Sequence, residues 1–443
     1  MSVFHHQRKW IYPLSIGGRF TKIHNATSLG LFAVLFVVPF LRWGGRPLFL
    51  FDIGARELTF FGARFTATEG VLIMLTALGA AGALFLTTAL LGRVWCGYAC
   101  PQSVFMINVV FRIERWLEGD RSARMAASRQ PMTAALRAKR ALKYGLFLGW
   151  AWLVSMAFMG FFVPTDRLWA FALSTTEIGV VSFFTLLWFL DFTWFREQTC
   201  NYICPYARFQ SALTDRHSWT IRYDEPRGEP RGKAARARGG CIDCNKCVAV
   251  CPQGIDIRDG FQLECIACGK CIDACETVMP KLGHPTLVRY TTIAKDAGEP
   301  TRLVRARTVA YAGLLSAVLA GYIAVVSVHT PVELIVDRMP GALFVEDGDG
   351  FVRNTYFVQV TDRTLAEGRG VWAVAVEGLP EGAQVQAQPL ILEAGTSSRV
   401  PVVVRIPTDT APGLLPLVVR VRSATQAVTS ETTFHGPKGH EVP

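Results

Sequence analysis

Long apolar runs alternate with charge-dense segments along the chain, and this alternation predicts most of the architecture. Val71–Leu91, Tyr144–Val163, a run from about Leu168 to Phe195, and Thr308–Val328 each approach the ~20 residues that a helix needs to cross a ~30 Å hydrocarbon layer. A fifth run, Thr27–Leu41, is shorter and ends at Arg42 and Trp43, residues that suit an interface. Five spanning helices are expected. The run ending at Phe195 contains Glu177 and Asp191, and acids inside a bilayer are costly and commonly functional. After Val328 the period changes. Thr355–Thr361, Val371–Val376, Val400–Ile406 and Leu417–Val421 are rich in β-branched residues, and turn residues at Gly348–Gly350, Glu367–Gly370 and Pro380–Gly382 separate them. Short strands at this spacing predict an antiparallel β-sandwich.

The pattern divides the chain into an arm (1–26), a membrane domain with four spans (27–216), a soluble segment (217–307), the fifth span (308–330) and the β-domain (331–443). Within the soluble segment Glu225–Gly240 is rich in Pro, Gly and Arg and reads as an unfolded linker. The only repeats are a doubled cysteine motif and a span followed by Cys-Pro, used twice.

Composition and charge sharpen this picture. Hydrophobic residues make up 51% of the 443 and charged residues 18%, which is too apolar for a soluble protein of this size. The net charge of +11 is unevenly spread, because Val332–Pro443 holds 9 Lys+Arg against 13 Asp+Glu. No basic stripe lies among aromatic residues, so a nucleic-acid partner is not expected. The connection Arg93–Lys143 carries ten Lys+Arg and Arg196–Arg307 eighteen, against one in Pro164–Arg167. The positive-inside bias then puts the basic segments in the cytoplasm and the β-domain in the periplasm of a bacterial inner membrane. The Arg42–Arg64 loop, with four Arg outside, fits this less well. No cleavable secretory signal is visible. The basic connection Arg112–Arg140 reads as a solvated or lipid-facing helix, and Trp43, Trp95, Trp169 and Trp194 as an interfacial belt.

All twelve cysteines fall between Cys96 and Cys275, in short-range sets that suit metal ligation better than disulfides and call for a reducing compartment. Cys241, Cys244, Cys247 and Cys251-Pro252 have the CxxCxxCxxxCP spacing of a bacterial ferredoxin, and Cys265, Cys268, Cys271 and Cys275 repeat it. In two-cluster ferredoxins each motif gives its fourth cysteine to the other cluster. The assignment is therefore Cys241, Cys244, Cys247 and Cys275 for one [4Fe–4S] cluster, and Cys265, Cys268, Cys271 and Cys251 for the other. Four cysteines also make structural zinc sites, but three cysteines in consecutive CxxC steps followed by CxxxC are unusual there. Glu276 stands where a proline is expected, which costs no ligand. The small residues Gly254, Ala267 and Gly269 would let backbone amides approach the sulfides.

Two further pairs, Cys96/Cys100-Pro101 and Cys200/Cys204-Pro205, share the spacing CxxxCP and follow outside-to-inside spans. On a helix such residues would share one face, and the four thiols could converge on one soft-metal or redox site, Cu(I) in particular. The plainer reading is four inert cysteines near helix ends. Histidines carry less. His5 and His6 read as solvated and His24 as interfacial rather than a haem ligand. His217, His284 and His329 stand alone, and no CxxCH is present for covalent haem. Asp191 is expected to pair with Arg196, with a proton route as the sharper alternative.

With Trp95-Cys96-Gly97-Tyr98-Ala99-Cys100-Pro101-Gln102, Cys200–Pro205, the paired ferredoxin motifs and the run Gly254–Gly260 in this order, nearly the whole chain resembles the CcoG/FixG/RdxA family of accessory proteins for cbb-type cytochrome c oxidase. The resemblance implies a membrane protein that reduces Cu(II) to Cu(I) for a copper-exporting ATPase and then the oxidase. It also implies an immunoglobulin-like outer domain, and it makes Cys96, Cys100, Cys200 and Cys204 the catalytic, copper-binding candidates. The expected partners are membrane lipid, a cytoplasmic electron donor whose identity the sequence does not give, that ATPase and the assembling oxidase; a homodimer is left open. Two other readings remain: a quinol-linked relay to a periplasmic reductase, and a non-enzymatic assembly scaffold.

Overall fold

The computed structural model describes residues 10–53, 57–61, 63–66, 70–327, 332–362, 369–393, 397–423 and 426–437. The chain divides into two compact units, residues 1–41 with 70–323 and residues 42–69 with 324–443. His5, His6 and His329 lie outside the described residues.

The first unit opens with the helices α1 (Arg19–Val37), α2 (Gly70–Leu91), α3 (Val94–Tyr98), α4 (Pro101–Phe105), α5 (Phe111–Glu118), α6 (Arg121–Arg129), α7 (Ala134–Met159), α8 (Thr165–Trp169), α9 (Thr175–Leu190) and α10 (Pro205–Leu213). Among the described residues six helical segments are long and apolar enough to cross a membrane: Arg19–Phe40, Gly70–Leu91, Val94–Glu118, Ala134–Met159, Thr175–Phe195 and Ala306–Val325. The first begins at Arg19 rather than Thr27, because its polar residues His24 and Ser28 face inward and are buried. The run from Leu168 splits into α8 and α9. Ser174 and Glu177 form a reciprocal capping box at the start of α9, so Glu177 caps a helix entrance instead of sitting in mid-span.

The segment Val94–Glu118, absent from the expected five, is α3, α4, a π turn over Met106–Val110 and α5 in succession. Tyr98 packs 5.9 Å from the His24 ring, and Arg112 donates to Asn25 Oδ1 at 2.7 Å. Fourteen helical residues rise about 20 Å, yet both ends of this stretch meet neighbouring residues of α1. The segment therefore folds back on itself beside α1: from Tyr98 at His24 it reaches Phe32, whose ring lies 5.9 Å from that of Phe105, and it returns through Asn108, which donates to Ser28 Oγ at 2.6 Å, to Asn25. Nor is Arg112–Arg140 a solvated helix throughout. Arg124 is buried, with its guanidinium on Glu114 at 3.1 Å, because a carboxylate on α5 offers it a partner.

Strands 220–223 and 288–291 pair antiparallel and carry the short helices α11 (Glu225–Gly228), α12 (Lys246–Ala249), α13 (Lys270–Glu276) and α14 (Ile293–Asp296), before α15 (Ala306–Ser327). Glu225–Gly240 is folded, contrary to its composition. Gly228 lies against the Tyr223 ring, and Arg227 donates to the carbonyls of Pro285 and Thr286 at 2.8 and 2.6 Å. This segment meets the ends of several spans. The Asp273 carboxylate accepts from Phe20 N, Thr21 N and Thr21 Oγ1 at 3.0, 2.8 and 2.7 Å at the start of α1. Trp219 N donates to Leu90 O at the end of α2 at 3.0 Å, and Arg305 before α15 pairs with Asp215 at 2.7 Å. These ends share one side of the helices, as alternating spans require.

In the second unit, strands 42–43 and 46–47 pair antiparallel, as do 49–52, 57–60 and 63–66 in succession, and the described strands from 332 onward form a two-sheet sandwich. One sheet runs in the order 384–387, 397–407, 351–362, 332–338, with 345–347 added to 351–362; the other runs 390–393, 369–377, 414–422, 427–435. The four predicted strands are all present, extended at both ends. Alternation puts Val352, Tyr356, Val358 and Val360 inward against Val402, Val404 and Ile406. Asn354, also inward, exchanges hydrogen bonds with the His435 backbone at 2.7 and 3.1 Å, so a buried amide ties the two sheets together.

Burial decides which strand positions matter. Ile406 is fully buried and Ile391 is 58% exposed. Ile406→Ala is expected to cost about 2–5 kcal/mol, and Ile391→Ala no more than about 0.5 kcal/mol. Unfolding of the purified variants, followed by circular dichroism, checks the contrast.

Candidate redox site

Each ferredoxin motif bends its thiols inward through left-handed backbone at two equivalent positions. In the first motif these are Asp243 and Asn245, both with φ 56°, and in the second Ala267 (φ 57°) and Gly269 (φ 75°). Such angles cost a side-chain-bearing residue energy, and here they turn successive thiols toward a common cavity. Asn245 and Gly269 stand just ahead of α12 and α13. Cys241, Cys244, Cys247 and Cys275 line one cavity, together with Tyr223, Arg258 and Leu287. Cys251, Cys265, Cys268 and Cys271 line a second, which Cys247 also borders. Backbone amides aim at several sulfurs: Leu287 N at Cys275 (3.4 Å), Ala267 N at Cys265, Lys270 N at Cys268, and Ile255 N and Gln253 N at Cys251.

The donor chemistry fits cubane clusters. Burial pushes the Cys265 thiol up to about 11 and those of Cys247 and Cys251 up to about 12. The thiolates a cluster needs are thus unfavourable until bound iron offsets their charge. Among the described residues no three His, Cys, Asp or Glu side chains converge on one ion. Tetrahedral zinc with sulfurs ~2.3 Å away would bring its ligands to within ~4 Å of each other, so the two cavities do not have the form of zinc sites. Arg258 donates to Asp243 Oδ1 and Asn245 Oδ1, both at 2.6 Å, and holds the first loop in its turn.

The CxxxCP pairs are not single helical faces. α3 stops at Tyr98, and Cys100 and Cys204 are extended residues just ahead of α4 and α10, each followed by proline at the first helical position. A π turn over Thr199–Ile203 carries Cys200. The turns nevertheless bring the four thiols together, because each acts electrostatically on the other three. Burial, reinforced by Cys100, Cys96 and Cys204, pushes the Cys200 thiol well up. Gln210 Oε1 accepts from Cys96 Sγ at 3.4 Å.

Gly97 joins this group to the ferredoxin cavities. A Cβ there would fall 2.6 Å from Ile266 O, inside the loop between Cys265 and Cys268, and Tyr98 Oη donates to Cys268 O at 3.2 Å. Only glycine allows this approach, and its place between two motif cysteines was the one signal for it in the sequence. Arg93, Gln210 and Asp273 had no such signal. Arg93 is buried and donates to the carbonyls of Leu263 and Ala207.

Two expectations resolve differently. Asp191 does not pair with the Arg196 side chain: Thr199 Oγ1 and Gln102 Nε2 donate to its Oδ1 at 2.5 and 3.0 Å. Arg196 instead makes a two-pronged contact with Glu114 at 3.0 and 3.1 Å, since that acid is buried and needs a cation. His24 is buried rather than interfacial, with Nδ1 3.1 Å from Asn108 Nδ2.

Comparison with known proteins follows this geometry closely. Residues 195–293 match a family described as a 4Fe-4S dicluster domain, residues 73–116 a 4Fe-4S binding domain, and residues 322–437 an IG-like fold at the C-terminus of FixG. The protein RdxA of Cereibacter sphaeroides is 37% identical over 396 residues, covering 83% of this chain and 82% of RdxA. RdxB of the same organism is 36% identical over 391 residues (81% and 80%). The nitrogen fixation protein FixG of Rhizobium meliloti is 33% identical over 436 residues (84% and 80%).

Two outcomes test the site's construction. Asp273→Ala removes three hydrogen bonds to a carboxylate at the start of α1 and is expected to cost about 1.5–3 kcal/mol, read as a lower thermal midpoint. Since the ligand thiols must shed protons to bind iron and those of Cys265, Cys247 and Cys251 lie at about 11 to about 12, uptake of iron and sulfide by the apo chain is expected to weaken steadily as the pH is lowered below those values, measured as iron bound per chain.

Proposed function

This chain belongs to the FixG/RdxA family of iron–sulfur electron-transfer proteins, and on that premise we propose that it reduces Cu(II) to Cu(I) on the cytoplasmic side of a bacterial inner membrane. The copper ion is the substrate and gains one electron. When bound, [4Fe–4S] clusters supply reversible one-electron chemistry at biological potentials. The chain supplies the ligands, the route and the exit.

One observation carries the reading. The turn holding Cys96 and Cys100 packs on the Cys265–Cys268 loop through Gly97, so four soft sulfur donors lie next to the inner cluster cavity. Sulfur donors so placed are where an electron leaving the second cavity would arrive, whether they hold a redox centre of their own or meet the copper ion directly. At the other end Cys244 is the one exposed thiol of the twelve, and it gives the first cavity an edge open to a soluble donor. The heavy Lys+Arg content of 93–143 and 196–307 supports a cytoplasmic position for this side, where reduced thiols persist. Delivery of Cu(I) to an exporting ATPase and then to cbb-type oxidase assembly is part of the same proposal.

The test is anaerobic reduction of Cu(II) by the purified, donor-reduced chain, followed with a Cu(I)-specific chromophoric chelator. Wild type is expected to turn over well above buffer. Cys241→Ala should abolish turnover, Cys96→Ala/Cys100→Ala should lower it at least tenfold, and Gly97→Val should lower it while leaving bound iron unchanged. Wild-type turnover no faster than buffer would remove the proposal, and full activity in Cys96→Ala/Cys100→Ala would move the exit elsewhere.

A further inference from the structure

We propose that Cys96, Cys100, Cys200 and Cys204 ligate a third iron–sulfur cluster, beside the second ferredoxin cavity. This rests on the electron-transfer reading above and specifies what the four-thiol site holds: copper is reduced next to this centre and does not take the four thiols as its own ligands.

Spacing separates a cluster from a single ion. All six pairings among the four thiols are electrostatically coupled, yet no three of them converge on a point where one ion could sit. A lone thiolate-bound ion demands tighter convergence, whereas a cubane takes one thiolate at each of four separated corners. The eight ferredoxin cysteines show the same combination: grouped in fours around a cavity, but not gathered on one ion.

The surroundings also match. The amides of Ser103 and Gln102 lie beside the Cys100 sulfur, as those of Ala267, Lys270, Gln253 and Ile255 lie beside the ferredoxin cysteines. Such donors stabilise and tune cluster-bound sulfur. Gln210 is fully buried and its Nε2 has no partner, while its Oε1 faces Cys96 Sγ. With the amide turned over, a choice the structure leaves free, its N–H donates to a thiolate. Ser103 Oγ, also buried and without a partner, lines a small cavity with Cys200. Arg93, pinned by two carbonyls, acts on both Cys96 and Cys265 and offsets the negative charge of clusters on either side of it.

Ligand counting agrees. The matched 4Fe-4S binding segment 73–116 contains only Cys96 and Cys100. Two thiols cannot complete a four-cysteine cluster; Cys200 and Cys204 supply the other two.

The experiment is iron and acid-labile sulfide analysis of the full-length chain, isolated anaerobically in detergent, with spin counting after dithionite. About twelve iron atoms per chain (a cubane) or about ten (a two-iron core), with a third paramagnet, are expected. Cys96→Ser/Cys200→Ser is expected to fall to about eight while keeping the two ferredoxin signals, which serve as its control for folding. If that variant does not fold, the wild-type count still decides. About eight iron atoms and two paramagnets in wild type overturn the proposal, as does a folded variant that loses no iron. A chain that carries the third cluster but reduces no Cu(II) would retain this inference and remove the copper reading.

Discussion

The structure depends on a close approach between two kinds of backbone: the cysteine loops of a ferredoxin and the ends of hydrophobic helices. Gly97 touches Ile266 O, and Gly269 meets the Phe20 ring so closely that a Cβ would fall 2.5 Å from it. On the other side of α13 the Asp273 carboxylate, itself buried, takes the free amides at the start of α1. A helix start leaves donors unsatisfied and carries a partial positive charge. A buried carboxylate needs donors and positive charge, so one contact meets both needs. The soluble segment is thereby fixed to the helices at the loop that carries cluster ligands, and the distance between thiol groups is set by packing rather than by a tether.

A second set of buried charges keeps the adjoining turns in place. Glu114 lies between the guanidiniums of Arg196 and Arg124, all three almost fully buried. Breaking such a group by removing one member leaves an unpaired buried charge, and this links α5, α6 and the end of α9. Because Arg196 is committed to Glu114, Asp191 is left to Thr199 and Gln102. Thr199 begins the π turn that carries Cys200, and Gln102 follows Pro101. Asp191 thus ties the two Cys-Pro turns to each other, a positioning role that its place in an apolar run did not suggest.

What could be read from the sequence was what is local. Ligand spacing from Cys241 to Cys275 and the β-branched runs Thr355–Thr361 and Val400–Ile406 are short-range patterns, and they reappear as cavity linings and strands. Long-range choices were not legible. The start of α1 at Arg19 depends on Asp273, far away in the chain. The folding of Glu225–Gly240 depends on carbonyls at Pro285 and Thr286, and its composition alone pointed to disorder. Val94–Glu118 escaped notice because its polar residues, Asn108 and Glu114, find partners only in the folded unit. Family resemblance supplied copper; no spacing or periodicity in the chain names a substrate.

Charge around the inner cavity makes the last step of the synthesis. Adding an electron to a thiolate-bound cluster increases negative charge in a place from which water is largely excluded, and desolvation opposes that. The outer cavity is relieved by solvent at Cys244 and by Arg258. The inner one lacks an exposed thiol, and its relief comes from fixed groups: the Lys270 ammonium beside Cys268, Arg93 beside Cys265, and the amides aimed at Cys251, Cys265 and Cys268. Arg93 acts on Cys96 as well, so a single buried cation serves both sides of the Gly97 contact. Its position lowers the electrostatic cost of holding an electron on either side of that contact, which is what a short transfer between neighbouring centres requires.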